Sequence, residues 1–418
     1  MKLFSRKKNS LSPDSIGQIT WRRFRKNKPA MLGLYFVIGA ALVAILGYAL
    51  TNDKTPFAND QKPELHILAP GTSVHFLLVR KNELAQEENV LSRILFGTQS
   101  PFQSIPFYAL EFRADKVFVE EYTGNSPNNG YVEEFNLADV LYPLQNKKEV
   151  VYDSVQQCLR FMPLGGTELK EEGINAMQEK VRKDHVRGKR FLLGTDLLGR
   201  DVLSRLIIGT RISLTVGLIS VLISILIGIT LGALAGYYRG LIDSGIMWLI
   251  NVVWSIPTLL LVIAITLVLG KGVFQVFIAV GLTMWVEVAR IVRGQILSIR
   301  EKEFVEAGRA LGFSDARIIF KHVLPNVMGP VIVIAAGNFA SAILMEAGLS
   351  FLGIGAQPPV PSWGEMINAH RGYILMDKAY LAFIPGLAIM FLVLAFMLLG
   401  NGLRDALDTR AGEHSAIQ

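Results

Sequence analysis

Side chains able to do chemistry are few and scattered in this 418-residue chain. There is no GxxxxGK followed by Ser or Thr to hold nucleotide phosphates, no HExxH to hold zinc, and no GxSxG elbow for a serine nucleophile. Paired aspartates within the apolar stretches are also missing, so intramembrane proteolysis has no support. His66, His75 and His185 lack ligand spacing. One cysteine, Cys158, excludes an intramolecular disulfide framework and a cysteine-rich metal site. No catalytic residue, metal or cofactor is implied. What remains is a small set of polar residues in apolar surroundings. Glu346 follows a long uncharged run, and an ionisable residue inside a membrane segment marks a functional passage by default. The simpler reading is a carboxylate that ends a span at the headgroups. Asn338 stands at i−8 from Glu346, two helical turns away on roughly one face, and could line the same passage. Asn251 reads as a helix–helix hydrogen bond. Glu287 reads as snorkelling to the interface near the inner end of its span.

The densest polar pattern is 306–325, EAGRALGFSDARIIFKHVLP, with long apolar runs on both sides. A helix can run to Leu311, after which Gly312 supplies the left-handed residue that ends it. Ser314 or Asp315 can cap a second short helix, and Pro325 is expected to stop that one. The result is a helix–turn–helix knuckle between two spans, too polar for lipid and too structured for a tether. It reads as a docking element, or more blandly as an ordinary loop in which Glu306 and Arg309 form a solvated i,i+3 pair worth ~0.2–0.5 kcal/mol.

The elements that must position these residues follow from hydropathy. About half of the residues are hydrophobic and the mean hydropathy is positive, which points to a multi-pass membrane protein with a soluble part. Residues 1–28 form a basic start (Lys2, Arg6, Lys7, Lys8, Arg22, Arg23, Arg25, Lys26 and Lys28 against Asp14). An apolar span follows at once, so this is a cytoplasmic anchor under the positive-inside rule rather than a nucleic-acid patch. Residues 29–50 carry no charge and suit the ~20 residues that cross a bilayer; no clear cleavage site follows, so they read as a span and not a signal peptide. Residues 51–190 are mildly acidic, contain no span, and are long enough for a domain with its own core. Strands are expected at 75–81 and 116–122, a turn at 125–130, and a helix over 167–186. This insert reads as extracytoplasmic, either a structural cap or a contact surface for a binding protein. At 191–214, Thr195 or Asp196 can cap an amphipathic helix lying on the outer surface, with Leu198, Val202, Leu203 and Leu206 on one face and Arg200, Asp201 and Arg205 on the other. Further spans are expected at 212–236, 244–269 (kinked at Pro257), 273–289, 326–345 and 379–403. The permease-like core thus covers 191–403, the loop region 290–325, and a cytoplasmic tail 404–418. Short loops on one side hold only Lys271, Arg371 and Lys378, which places both termini inside. The fold expected is an all-α polytopic membrane protein of six transmembrane helices, with a mixed α/β extracytoplasmic insert between the first two.

The spacing of Glu306, Ala307, Gly312, Leu324 and Pro325, with Gly308 where the second Ala stands, resembles the EAA loop of permease subunits of binding-protein-dependent ABC importers. Gly194-Thr195-Asp196, Gly199-Arg200-Asp201, His322–Asn326 and EAGLSFLGIG around Glu346 look like the dipeptide/oligopeptide/nickel branch. The resemblance runs from about residue 191 to 410 and does not reach into the insert. It implies a type I importer core in the bacterial inner membrane, moving peptides by alternating access as half of a pore. It implies as partners two ABC ATPase subunits that hydrolyse ATP, a homologous second permease, an extracytoplasmic substrate-binding protein and the lipid bilayer, with no nucleic acid. Glu306 would pair with a basic residue of the ATPase, Ala307 and Gly308 would permit close packing, Gly312 would set the turn, and Arg309, Phe313 and Asp315 would face the ATPase groove. A self-sufficient secondary transporter or channel, or a membrane sensor with a ligand-binding insert, stays open beside it. Inverted repeats would favour the transporter, and only the importer needs an ATPase at 306–325.

Overall fold

The computed structural model of the chain describes residues 16–83, 89–124, 126–146, 149–166 and 168–407. Lys2, Arg6, Lys7, Lys8, Asp14, Asn125, Thr167 and residues 408–418 of the tail lie outside them. A short basic helix, α1 (Ile16–Lys26), leads into α2 (Lys28–Leu50). The Asn27 side chain accepts from the Ala30 amide at 3.2 Å and Pro29 fills the first turn, so the start of α2 is fixed by its own sequence.

The insert is built on antiparallel sheet. Its elements are β1 (Thr72–Arg80), α3 (Val90–Phe96), β2 (Phe102–Arg113), β3 (Lys116–Glu121), β4 (Val132–Asn136), α4 (Leu137–Leu141), β5 (Val151–Asp153), β6 (Cys158–Phe161), β7 (Lys170–Gly173), α5 (Ile174–Lys180) and β8 (Val186–Phe191). Five strands pair in the order β4-β3-β2-β1-β8 and three in the order β5-β6-β7. Side chains alternate across a strand, and β1 uses both faces. Leu77 and Val79 pack into a core with Leu137, Val140, Met177 and Val181, while Val74 and Phe76 join Leu65 and Phe191 on the other side. The helix expected over 167–186 is only partly there. Its first part is β7, held to β6 by the Arg160–Glu171 pair at 3.0 Å, and α5 begins at Ile174.

The remaining chain is helical: α6 (Val202–Tyr238), α7 (Gly240–Trp254), α8 (Thr258–Leu269), α9 (Val273–Ile299), α10 (Glu303–Ala310), α11 (Asp315–Ile318), α12 (Leu324–Phe351), α13 (Trp363–His370) and α14 (Tyr380–Leu407). Among the described residues, five helices are long and apolar enough to cross a membrane, and a sixth span results if α7 and α8 count as one. Three corrections to the expected elements stand out. Pro257 breaks its span rather than kinking it: α7 and α8 meet at 90°, because proline lacks the N–H to continue the ladder and its ψ of 122° is extended. The fourth span does not end at residue 289 but continues to Ile299. Arg290 lies over the Trp254 ring at 3.5 Å and Arg293 is paired to Asp243 through two contacts of 2.5 and 2.7 Å, so α7 gives both side chains a partner and the helix runs on. Third, residues 191–201 form no surface helix.

The centre of the bundle is α6 against α9. Gly228, Gly232 and Gly236 repeat every fourth residue, and a Cβ on each would stand 2.5, 2.8 and 2.9 Å from the Cβ atoms of Val288, Val292 and Ile296. Small residues at this spacing let two helix backbones meet. At ~1.5 Å per residue, the 37-residue α6 separates the insert, at its start, from the 303–325 region at its end by about 55 Å.

Candidate functional site

The knuckle is built from within. The Gly312 amide donates to the Arg309 carbonyl at 2.9 Å and the Phe313 amide to the Gly308 carbonyl at 3.1 Å, with Gly312 at φ +76°. This is a Schellman stop. Ser314 then starts α11 with extended backbone, without a side-chain cap. Val305, Ile318, Ile319 and Val323 are buried with Tyr237 and the α9 residues Val292, Ile296 and Ile299. The Tyr237 hydroxyl donates to Asp315 Oδ1 at 2.6 Å, and the Arg309 guanidinium lies over the Tyr237 ring at 5.3 Å. Arg317 covers Phe313 at 4.0 Å, and Phe313 stacks on His322 at 5.9 Å. The Arg239 guanidinium beside Glu301 holds that carboxyl below the usual range.

Glu306, Ala307, Arg309, Gly312 and Asp315 are all exposed. Among the described residues no cation lies within ion-pair distance of Glu306, and Arg309 has turned to Tyr237, so the solvated Glu306–Arg309 pair is absent. Around them Leu311 and Phe320 are 71% and 73% exposed. Gly308 differs: it is buried, and its missing Cβ would meet Phe313 at 3.6 Å and Ile318 at 3.8 Å. Those distances are ordinary van der Waals contact, so the turn itself would accept an alanine there. Phe313 is half-buried. Pro325 does not stop a helix: a π turn over Ile319–Val323 carries the chain into α12, with half-buried Leu324 and exposed Pro325 in its first turn, where a proline has no amide to lose.

Glu346 is 1% exposed, so it does not end a span at a surface: α12 continues to Phe351. Ser350 donates to Glu346 Oε1 at 2.7 Å, while Oε2 has no partner. Asn338 is 3% exposed and its Nδ2 is likewise unpartnered. Asn251 is exposed on α7. Glu287 stands elsewhere in its helix than the sequence reading has it. It lies close to the middle of α9 rather than near an end of that helix, it is exposed, and it borders a cavity of about 90 Å³ with Thr258, Thr283 and Ser341. Reading the helix through Arg290 and Arg293 would have found it.

At the insert end the GTDxxGRD stretch is a buried knot. Asp196 accepts from the backbone amides of Leu198 and Arg200, both at 2.9 Å, and pairs with Arg200 Nε at 2.7 Å. Arg205 Nε lies 3.6 Å from Asp196, and Arg205 Nη2 donates to Glu365 on α13 at 3.0 Å. Thr195 donates to the Leu65 carbonyl and accepts from the Leu68 amide, tying the knot to the segment after α2. The face expected in solvent is therefore inside, and Leu198 is 41% exposed instead. Burial holds the His370 imidazole below its ordinary value, partly offset by the Met366 carbonyl and the carboxylates of Asp196 and Glu365.

Residues 228–413 match the family of binding-protein-dependent transport system inner membrane components, and residues 15–70 match the N-terminal transmembrane domain of oligopeptide transport permease C. A glutathione transport system permease protein of Pectobacterium atrosepticum is 44% identical over 218 residues, 52% of this chain and 72% of the relative. A di/tripeptide transport system permease protein of Pseudomonas aeruginosa is 46% identical over 222 residues, 53% of this chain and 73% of the relative. A chain from inward-facing structures of a methionine ABC transporter aligns over 49% of this chain and 96% of its own, at 19% identity and a TM-score of 0.39, too low to bear on the assignment. This chain belongs to the binding-protein-dependent transport system inner membrane components, and is a multi-pass inner-membrane permease.

Proposed function

We propose that this chain forms half of the translocation pathway of an ABC importer for short peptides, and that residues 306–325 couple it to separate ATPase subunits. The observation that carries the coupling is the contrast inside the knuckle. Its turn, its apolar underside and Tyr237 hold it rigid, yet Glu306, Ala307, Leu311 and Phe320 are exposed among the described residues. A preorganised surface with a free carboxylate between apolar residues suits a groove that supplies a cation. Two ATPase subunits, a homologous second permease and a substrate-binding protein complete the assembly, and ATP is hydrolysed on the partner chains. Short peptides are the cargo because relatives are named for glutathione, dipeptides and di/tripeptides.

The knuckle and both termini face the cytoplasm and the insert faces outside, as the distribution of Lys and Arg favours. Glu287 lines the pathway: a carboxylate at mid-span is too costly to face lipid, so the face of α9 that carries it borders water or the second permease. Glu346 and Asn338, each with an unsatisfied atom on α12, stand ready to join it when the helices rearrange. The test is to isolate the C-terminally tagged chain in mild detergent from native membranes and identify what co-purifies. ATPase subunits and a second six-span permease are expected. Recovery of the chain alone, stable and monodisperse, would end the importer reading.

A further inference from the structure

A cavity of about 490 Å³ lies where the insert meets the bundle. One wall is a single face of the insert's sheet. Phe76 on β1 pairs with Arg187 on β8, and Leu78 on β1 with Ser104 on β2, so the side chains between them point the same way. The opposite wall is the segment after α2 and the residues just before α6, ending at Asp201. The volume falls within the ~300–1,000 Å³ of small-molecule sites.

Its charges do not cancel. Lys62 is paired to Asp60 at 3.1 Å, and Asp53 is occupied by the Thr55 amide, the Thr55 hydroxyl and the Asp60 amide. Among the described residues, Lys81, Arg187 and Lys189 have no carboxylate within ion-pair distance; Lys189 lies over the Phe191 ring at 4.9 Å and its charge also acts on Asp201. Asp201 is the reverse case. It is 3% exposed; Oδ2 accepts from Ser204, but Oδ1 has no partner. A buried acceptor left empty is costly unless something donates to it. Phe76, Phe102 and Phe191 add apolar wall to the same cavity.

We propose that this cavity binds a short zwitterionic peptide, its carboxylate held by Lys81, Arg187 and Lys189, its ammonium by Asp201, and an apolar side chain against the phenylalanines. Inorganic phosphate would satisfy the cations alone. The peptide would touch the insert and the start of α6 together, so the insert would hold cargo at the mouth of the bundle. That last role rests on the peptide-importer reading; the binding itself does not.

The test uses the full chain in lipid nanodiscs and calorimetry with alanyl-phenylalanine, its C-terminal amide, its N-acetyl form and inorganic phosphate. The free dipeptide is expected to bind, with affinity falling at least about tenfold on amidation, as loss of a charge-assisted contact implies. N-acetylation is expected to weaken binding in the chain as it stands but not in Asp201→Asn. Lys81→Gln combined with Arg187→Gln should reproduce the loss, while Lys183→Gln, outside the cavity, should not. The amide comparison needs no variant, so a folding defect cannot obscure it. Absence of binding, equal binding of peptide and amide, or equal occupancy by phosphate would overturn the assignment. Uptake by vesicles carrying the whole importer separates the two readings. Binding without any peptide uptake removes the importer reading and leaves the site; peptide uptake by a chain that binds no peptide removes the site alone.

Discussion

The two polar motifs at opposite ends of α6 use the same residue types in opposite ways. At the knuckle Glu306, Arg309 and Asp315 are exposed, and only their framework is buried. At the insert end Asp196, Arg200, Arg205 and Glu365 are all less than a tenth exposed and are bonded to one another across α6, α13 and the loop before α6. A charge taken out of water and matched inside the chain is no longer available to a partner. A charge held on a rigid frame in solvent is free to be matched by another protein. The insert-end motif fixes the bundle, whereas the knuckle keeps its charges in solvent.

That contrast is broken most severely at Arg205. Removing one member of a buried charge group leaves the others uncompensated, at about 3–5 kcal/mol. Arg205→Ala should therefore yield chain that unfolds at much lower temperature, is sensitive to protease in the membrane, and supports no uptake. A variant that melts like the parent would mean that Asp196 and Glu365 find other partners or water. Glu306→Lys sharpens the same comparison from the other end. It should insert normally and melt within the ~0.5 kcal/mol of an ordinary surface change, yet abolish uptake and ATPase recovery. Normal uptake would remove Glu306 from the interface. Tyr237→Phe is intermediate: losing the hydroxyl that holds Asp315 costs about 1 kcal/mol and should lower uptake several-fold without releasing the ATPase.

The two ends were not equally legible in the sequence. The knuckle's stop at Gly312 is local, decided by one left-handed residue and two amides, so the spacing revealed it. Pro325 misled because a proline that cannot continue one helix is equally at home in the first turn of the next. The insert-end knot is non-local. Leu198, Val202, Leu203 and Leu206 have amphipathic spacing, but the partner that draws Arg205 inward is Glu365, 160 residues away. The same limit hid Glu287, since Arg290 and Arg293 looked like the end of a span until Trp254 and Asp243 were seen beside them. In the insert, the β-branched and aromatic residues of β1 and β3 announced strands, whereas β7 exists because β6 is there to pair with it.

The mildest perturbation of the buried end is pH. His370 packs in α13 with Nδ1 2.6 Å from the Met366 carbonyl, and the carboxylates of Asp196 and Glu365 and the Arg205 guanidinium act on it. Burial lowers its folded-state pKa below the ~6.5 of free imidazole. Between those two values the unfolded chain binds more protons than the folded one, so stability falls as pH drops below about 6.5 and levels off below the folded-state value. The slope contributed by one such group cannot exceed about 1.4 kcal/mol per pH unit. Melting of the purified chain should thus shift downward between about pH 7.5 and about pH 5.5, and His370→Gln should flatten that shift. Glu306→Lys, at the exposed end, should leave it unchanged. An identical pH slope in His370→Gln would assign the acid sensitivity to other groups and leave the imidazole a packing residue.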